Sequence, residues 1–220
     1  MAGPTGMSEI WQAKTYLGYR VRGTPNHPLI GVDGDEIRLD QSLGQKVKLC
    51  PPKFADSQYT STWKNGPVEC RVDITPDFAR LIGIYMGDGS LSGAGKYGGA
   101  GVFSVCCDAK DQDVAQEVRR LLNATFGVNA GLRNMRGWTD VRVGSKLIVE
   151  TFRAMGLTRN DTSKTMRKVH VPEFIWRSPK HIVKEFLSGL FEADGFNDKS
   201  NYRCVIFSKY EEFLQDATLF

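Results

Sequence analysis

Two aspartates in one repeated local pattern are the residues of this chain best placed to do chemistry. Asp88 closes the run Leu81-Ile82-Gly83-Ile84-Tyr85-Met86-Gly87-Asp88-Gly89, and Asp194 closes Leu187-Ser188-Gly189-Leu190-Phe191-Glu192-Ala193-Asp194-Gly195. Each run is apolar with a glycine inside and an Asp-Gly at its end. Each follows a helix-start signal, Thr75-Pro76 or Ser178-Pro179. Gly83 with Gly87, and Gly189 with Ala193, are four residues apart and share a helical face. Two such faces let helix backbones approach closer than the usual separation of roughly 8–10 Å. Packed in parallel, the helices would set both carboxylates side by side, each at the negative end of its own helix dipole. A divalent cation offsets that double penalty, and oxygen ligands with room for water and phosphate suit Mg2+. A carboxylate pair holding such an ion against a phosphate is the layout of metal-assisted phosphodiester hydrolysis.

The scaffold for these aspartates is readable from the pattern around them. Thr75 is an N-cap with Pro76 at the first helical position, which predicts a helix to about Asp88. A Gly-rich loop then leads to a strand over Val102–Cys107. Apolar Val114, Ala115, Val118, Leu121, Leu122 and Phe126 predict an amphipathic helix over 111–126, ended by Gly127. Strands over 128–135 and 138–143 enclose the turn Arg136-Gly137, and a helix over 146–155 ends at Gly156. A second unit opens at Ser178 with a helix to Asp194, a polar turn over 197–201, a strand over 202–207 and the start of a helix over 210–220. Upstream, residues 16–50 read as short β segments over 16–22, 28–32, 36–39 and 46–49, with Asp33-Gly34-Asp35 as a hairpin turn. Residues 51–74 read as a connector of loops and at most one strand.

Composition sets the frame. The 220 residues are 41% hydrophobic and 25% charged, with a net charge of +4. No apolar run approaches the roughly 20 residues of a membrane span, and no secretory layout opens the chain, so the expected compartment is cytoplasmic or nucleoid-associated. The five cysteines form no C-x-x-C pair, which excludes a zinc ribbon and favours reduced thiols. A basic stretch from Arg159 to Lys184 is the charge pattern of either a solvated face or a nucleic-acid surface.

Both Asp-Gly runs resemble the LAGLIDADG (DOD-type) motif of homing endonucleases. The second run is near consensus. The first carries Met86-Gly87 where an acidic residue and alanine are common. The resemblance implies that Asp88 and Asp194 are metal-binding catalytic residues and that the cofactor is Mg2+. It also implies an αββαββα half repeated once, a pseudo-twofold monomer whose two sheets sit over double-stranded DNA. Arg133, Arg136 and Arg142 are then candidates for base or phosphate contact. A second resemblance lies in Arg22-Gly23-Thr24-Pro25-Asn26-His27-Pro28-Leu29, which is similar to the T-x-x-H block of the Hint splicing domain of inteins. It implies that Thr24 and His27 polarise a scissile peptide bond, with exteins of a host protein as partners. Residues 164–172 resemble the intein block between the two endonuclease motifs. Lys168, with Lys164 as the alternative, is then the lysine that assists the cut or faces DNA.

The expected fold class is therefore α+β: a partial all-β Hint-like region over 1–50, a connector over 51–74, and a LAGLIDADG endonuclease domain over 75–220. Residues 177–220 form an incomplete second repeat. Neither splice junction is visible, so the chain is expected not to splice alone, and with its second repeat incomplete it is expected to be weak or inactive in cleavage. The alternatives are a non-cleaving DNA-binding regulator on the same scaffold, and an intron-encoded endonuclease or maturase, which would not need Thr24 and His27.

Overall fold

The computed structural model describes residues 8–16, 18–49, 54, 60–65, 68–92, 101–157, 170–198, 200, 203–208 and 210–220. The chain divides into two compact units, Met1–Pro52 and Lys53–Phe220.

The first unit is built from two antiparallel pairs, β1 (Trp11–Lys14) with β2 (Arg20–Gly23) and β3 (Pro28–Ile30) with β4 (Glu36–Arg38), followed by a 3-10 turn at Leu39–Gln41. The strand expected over 16–22 begins only at Arg20. The reason is local: Gly18, at φ 93°, reverses the chain, and the Thr15 N–H bonds the Tyr19 carbonyl at 2.8 Å. The residues before that turn form β1 instead. The Asp33-Gly34-Asp35 turn joins β3 to β4 as expected, with Gly34 at φ 95°. The strand expected over 46–49 is reduced to one bridge between Gly31 and Val47.

The second unit opens with a hairpin, β5 (Thr60–Asn65) and β6 (Val68–Asp73). Two stretches of the expected connector, where at most one strand was expected, are thus strands. The alternation was already in the sequence, because Cys70, Val72 and Ile74 are buried while Glu69, Arg71 and Asp73 are exposed. Then come α1 (Pro76–Asp88), β7 (Gly89–Ser92), β8 (Val102–Asp108), α2 (Gln112–Phe126), β9 (Gly131–Met135), β10 (Trp138–Gly144) and α3 (Lys146–Ala154). This is the order αββαββα, with β7 standing where the residue pattern suggested only loop. The antiparallel sheet runs β7-β8-β10-β9. After α4 (Glu173–Trp176), the sequence α5 (Lys180–Asp194), β11 (Gly195–Asp198), β12 (Arg203–Ile206) and α6 (Glu211–Ala217) repeats the order of α1 through α2.

The core lies between α1, the inward face of the four-stranded sheet and the other helices. Tyr85, Phe103 and Phe152 are fully buried with ring centroids 4.7–5.3 Å apart. The Tyr85 hydroxyl donates to the Leu157 carbonyl at 2.7 Å, which satisfies the one polar atom that ring brings inside. Among the described residues, no helix is long and apolar enough to cross a membrane.

Candidate metal and nucleic-acid site

The site begins with how closely α1 and α5 pack. A Cβ built on Gly83 would stand 2.2 Å from the Phe186 carbonyl oxygen, and one on Gly189 would stand 2.3 Å from that of Arg80. Only glycine allows backbone to lie on backbone in this way. One turn further along, a Cβ on Gly87 would meet the Ala193 Cβ at 2.3 Å and the Asp194 carboxyl carbon at 3.3 Å. Contacts that advance together along both helices mean that the helices run in parallel. Their C-terminal residues, Asp88 and Asp194, therefore emerge at the same end.

The glycine after each aspartate is equally constrained. Gly89 and Gly195 end the helices in extended conformation and donate their N–H groups to the carbonyls of Tyr85 and Phe191. A Cβ on Gly195 would fall 2.1 Å from the Phe191 carbonyl oxygen, and one on Gly89 2.5 Å from that of Tyr85. The helices thus pass straight into strands β7 and β11 with no intervening loop. The Asp-Gly step marks that transition, and its glycine is there for space.

The entries to the two helices differ. The Thr75 side chain accepts from the Phe78 N–H at 3.1 Å, as a cap should. Ser178 does not cap α5: it is fully buried and donates to the Phe174 carbonyl at 2.7 Å, and Pro179 takes the N-cap position.

Electrostatically, Asp88 is exposed and Asp194 is half-buried. The Asp88 charge reaches β8. Burial first, and then the Asp88 carboxylate, push the Cys107 thiol up to about 11. The described residues hold no group of three His, Cys, Asp or Glu side chains that could enclose a metal ion. Two carboxylates are hard oxygen donors, and a pair at one edge leaves most of a coordination shell to water and phosphate. That donor set fits Mg2+, which keeps several non-protein ligands.

The sheet carries the remaining candidates. On β10, Thr139 and Val141 face the helices, and the alternate residues Asp140 and Arg142 face away. Arg133 on β9 stands directly opposite Asp140 and shares its face, while Arg136 sits in the exposed β9–β10 turn. The structure thus brings Arg133 and Arg142 together around a residue that the residue pattern alone did not single out. Asp140 is 5% exposed, with Oδ2 at 3.2 Å from Arg142 Nε. Burial raises its pKa against the opposing pull of Arg142 and Arg133. The sequence places Arg142 two residues along the same face of β10, but the pairing with Arg133 across the strands and the burial of Asp140 come only from the fold. Ser90 and Ser104 share a hydrogen bond of 2.8 Å on β7 and β8.

Lys164 and Lys168 lie outside the described residues. In the first unit, Thr24 and His27 occupy the two ends of one turn, closed by the His27 N–H bonding the Thr24 carbonyl at 2.9 Å. The His27 ring lies over Gly23, where a Cβ would stand 2.8 Å from its Cγ. His170 is tied to α6 by Asp216 at 3.2 Å and Glu212 at 3.5 Å, a structural link between the segment before α4 and α6.

Residues 75–155 match the family model described as a LAGLIDADG-like domain. The chain is similar to the DNA gyrase A-subunit of Mycobacterium kansasii, 26% identical over 201 residues that make up 87% of this chain and 33% of that protein. It is similar to a DNA polymerase of Thermococcus sp. strain GE8, 26% identical over 172 residues, 78% of this chain and 9% of the polymerase. The NrdEB alpha subunit of ribonucleoside-diphosphate reductase from Bacillus subtilis strain 168 is 24% identical over 228 residues, covering 96% of this chain and 19% of the subunit. The chain therefore spans a third or less of these relatives' lengths. Among solved structures, the crystal structure of I-DmoI in complex with DNA and Ca matches with a TM-score of 0.47 and 19% identity, over 66% of this chain and 69% of that one.

Proposed function

We propose that Lys53–Phe220 is a LAGLIDADG homing endonuclease domain that cuts double-stranded DNA at a long site with Mg2+, carried within an intein. The observation that supports this best is the backbone-close, parallel pairing of α1 and α5, which ends in Asp88 and Asp194. The family match over 75–155, from the cap of α1 to the end of α3, supports the same reading from sequence. Asp88 and Asp194 would hold the cation, which when bound polarises a phosphate and lowers the pKa of water. The chain's own work is then to bind and orient the duplex. Arg133 and Arg142 on the outward sheet face and Arg136 in the turn present cations to phosphates or base edges. Lys168 or Lys164 would add positive charge near the cut. The domain acts as a monomer, because both aspartates come from one chain.

The relatives support the insertion part of the reading. Most of this chain is matched within a polymerase, a reductase subunit and a gyrase subunit, three proteins named for three different reactions. A segment shared by such hosts carries an activity of its own. Thr24 and His27 would serve splicing from the first unit, with an imidazole suited to proton transfer at an amide.

The test is cleavage of a plasmid library carrying random duplex inserts, with sequencing of the linearised products. With Mg2+, one long site should emerge, and with EDTA none. Asp88→Asn and Asp194→Asn should each lower cleavage by about 100-fold or more while leaving duplex binding intact, since each removes one of two metal ligands. Variants that cut as fast as the parent would remove the catalytic assignment. Selective binding without any cut would leave a DNA-binding regulator.

A further inference from the structure

The outward face of the sheet contains an expensive arrangement. Asp140 is 5% exposed, and its Oδ1 has no hydrogen-bond partner among the described residues. An unpartnered buried carboxylate oxygen is among the costlier things a sheet can carry. Asparagine or serine would fit there at less expense, and nothing in the packing of the inward face needs this charge, since Thr139 and Val141 face that side. What the charge does touch is arginine. Its other oxygen, Oδ2, lies 3.2 Å from Arg142 Nε two residues along the same face, and Arg133 stands across the strand pair.

The geometry of that contact selects how Arg142 can act. Nε is the nitrogen nearest the strand. Pairing Nε with Asp140 leaves the two Nη groups at the far edge of the guanidinium, on a side chain 42% exposed, as the remaining donors. Two donors in a fork match the adjacent O6 and N7 acceptors of guanine in the major groove. A free arginine on a sheet surface samples many rotamers and meets phosphates of any sequence equally well. One anchored at Nε presents a single edge at a single place, which reduces the ordering cost on binding.

We infer that Asp140 is a positioning residue that fixes Arg142 for end-on recognition of one guanine in the DNA site. The inference rests on the proposed reading of the domain as a duplex binder and adds to it a specificity element outside the metal-binding pair. Asp140 itself is too buried to touch the base. Its effect passes through Arg142, and it also removes one unit of the positive charge with which this face would hold DNA of any sequence.

Selection of bound duplexes from a random pool by the parent protein, Asp140→Asn, Arg142→Ala, Arg142→Lys and the double variant Asp140→Asn/Arg142→Ala tests this. The parent should select a site with a required guanine that Arg142→Ala no longer requires. Arg142→Lys, which keeps the charge but not the fork, should lose the same guanine. Asp140→Asn should lower discrimination at that base pair by about tenfold, the low end for one bidentate contact. It should also bind an unselected random duplex somewhat more tightly. In the double variant, discrimination should match Arg142→Ala alone, the mark of a residue that acts through its neighbour. Thermal melting should show Asp140→Asn at least as stable as the parent.

Three results would overturn the inference while sparing the duplex-binding reading: full discrimination in Asp140→Asn, a uniform loss across sequences in Arg142→Ala, or additive losses in the double variant. A parent protein that selects no duplex at all removes that reading and this inference with it.

Discussion

In the first half of the second unit, α1 is buried without a break from Leu81 to Gly87. Its counterpart α5 buries Ile182, Val183, Phe186, Gly189 and Leu190, and exposes Phe191 and Glu192. The strands differ in the same sense. β8 turns Phe103, Val105 and Cys107 into the core, whereas Phe196 on β11 is 58% exposed and Cys204 on β12 is exposed. The two halves share their element order, but their side chains match only along the line where the helices touch. There the match is close: Gly83 answers Gly189, Gly87 answers Ala193, and Asp-Gly answers Asp-Gly. Likeness is held where a Cβ would strike the other half, as at Gly83, Gly87 and Gly189, or the end of its own helix, as at Gly89 and Gly195, and it lapses elsewhere because each half meets different neighbours. That contact line is also what aligns the two carboxylates.

The largest expected effect breaks that line. Gly83→Ala and Gly189→Ala should each cost about 3 kcal/mol or more in urea unfolding, at the severe end for overpacking, because the atom struck is backbone and cannot swing aside. Gly127→Ala is the control. Gly127 sits at φ 66° with nothing within 4 Å of a Cβ, so only backbone strain is added, about 1 kcal/mol. If Gly83→Ala cost no more than Gly127→Ala, the helices would be packed at ordinary distance and the shared-face account would fail.

A smaller effect separates the two helix entries. Thr75→Ala should cost about 1 kcal/mol, and Thr75→Asp should restore it, because a carboxylate accepts from Phe78 N–H and suits a helix N-terminus. Ser178→Ala loses a buried hydrogen bond to Phe174, also about 1 kcal/mol. Ser178→Asp should be worse than alanine, since it buries a charge beside a carbonyl oxygen. Rescue by aspartate at position 178 would make Ser178 a cap after all.

These contrasts also mark what could be read before the structure. The paired glycines, the Asp-Gly ends, and the turns at Gly34, Gly127 and Gly137 are local rules written into residue types, and they held. The strands directly after each aspartate were harder. Gly89-Ser90-Leu91-Ser92 and Gly195-Phe196-Asn197-Asp198 are short and polar, and only pairing with β8 and β12 makes them strands. The αββαββα order implied by the resemblance has room for β7, but the expected first sheet rested on 102–107 and 128–143 alone. Ser178 misled because Ser-Pro reads as a cap from sequence alone, while burial against Phe174 is a tertiary fact. Asp140 was missed for the same reason: an aspartate two residues from an arginine on a strand looks solvated until its burial is known.

The smallest expected effect is in acid, where two regions of the second unit respond with opposite sign. On the α1–α2 side, Arg120 bonds Asp77 at 2.8 and 3.1 Å and Glu117 at 2.8 and 3.1 Å, and these hydrogen bonds hold both carboxyls below their usual range. Their stabilisation is fully present above the unfolded pKa values, about 3.9 for Asp and 4.3 for Glu. It fades as pH falls through the lower folded values. Asp140 runs the other way: burial raises its pKa, so its ionised form costs stability that is recovered as pH falls through the raised value. Unfolding measured against pH should therefore show a slight gain in stability from neutral toward about pH 4, and a loss below it. Asp140→Asn should remove the gain and leave the loss. Arg120→Gln should blunt the loss and leave the gain. Arg120 is half exposed and solvent screens its ion pairs, so each limb should stay under about 1 kcal/mol. An acid limb unchanged in Arg120→Gln would place the acid-sensitive carboxylates elsewhere than the Arg120 cluster.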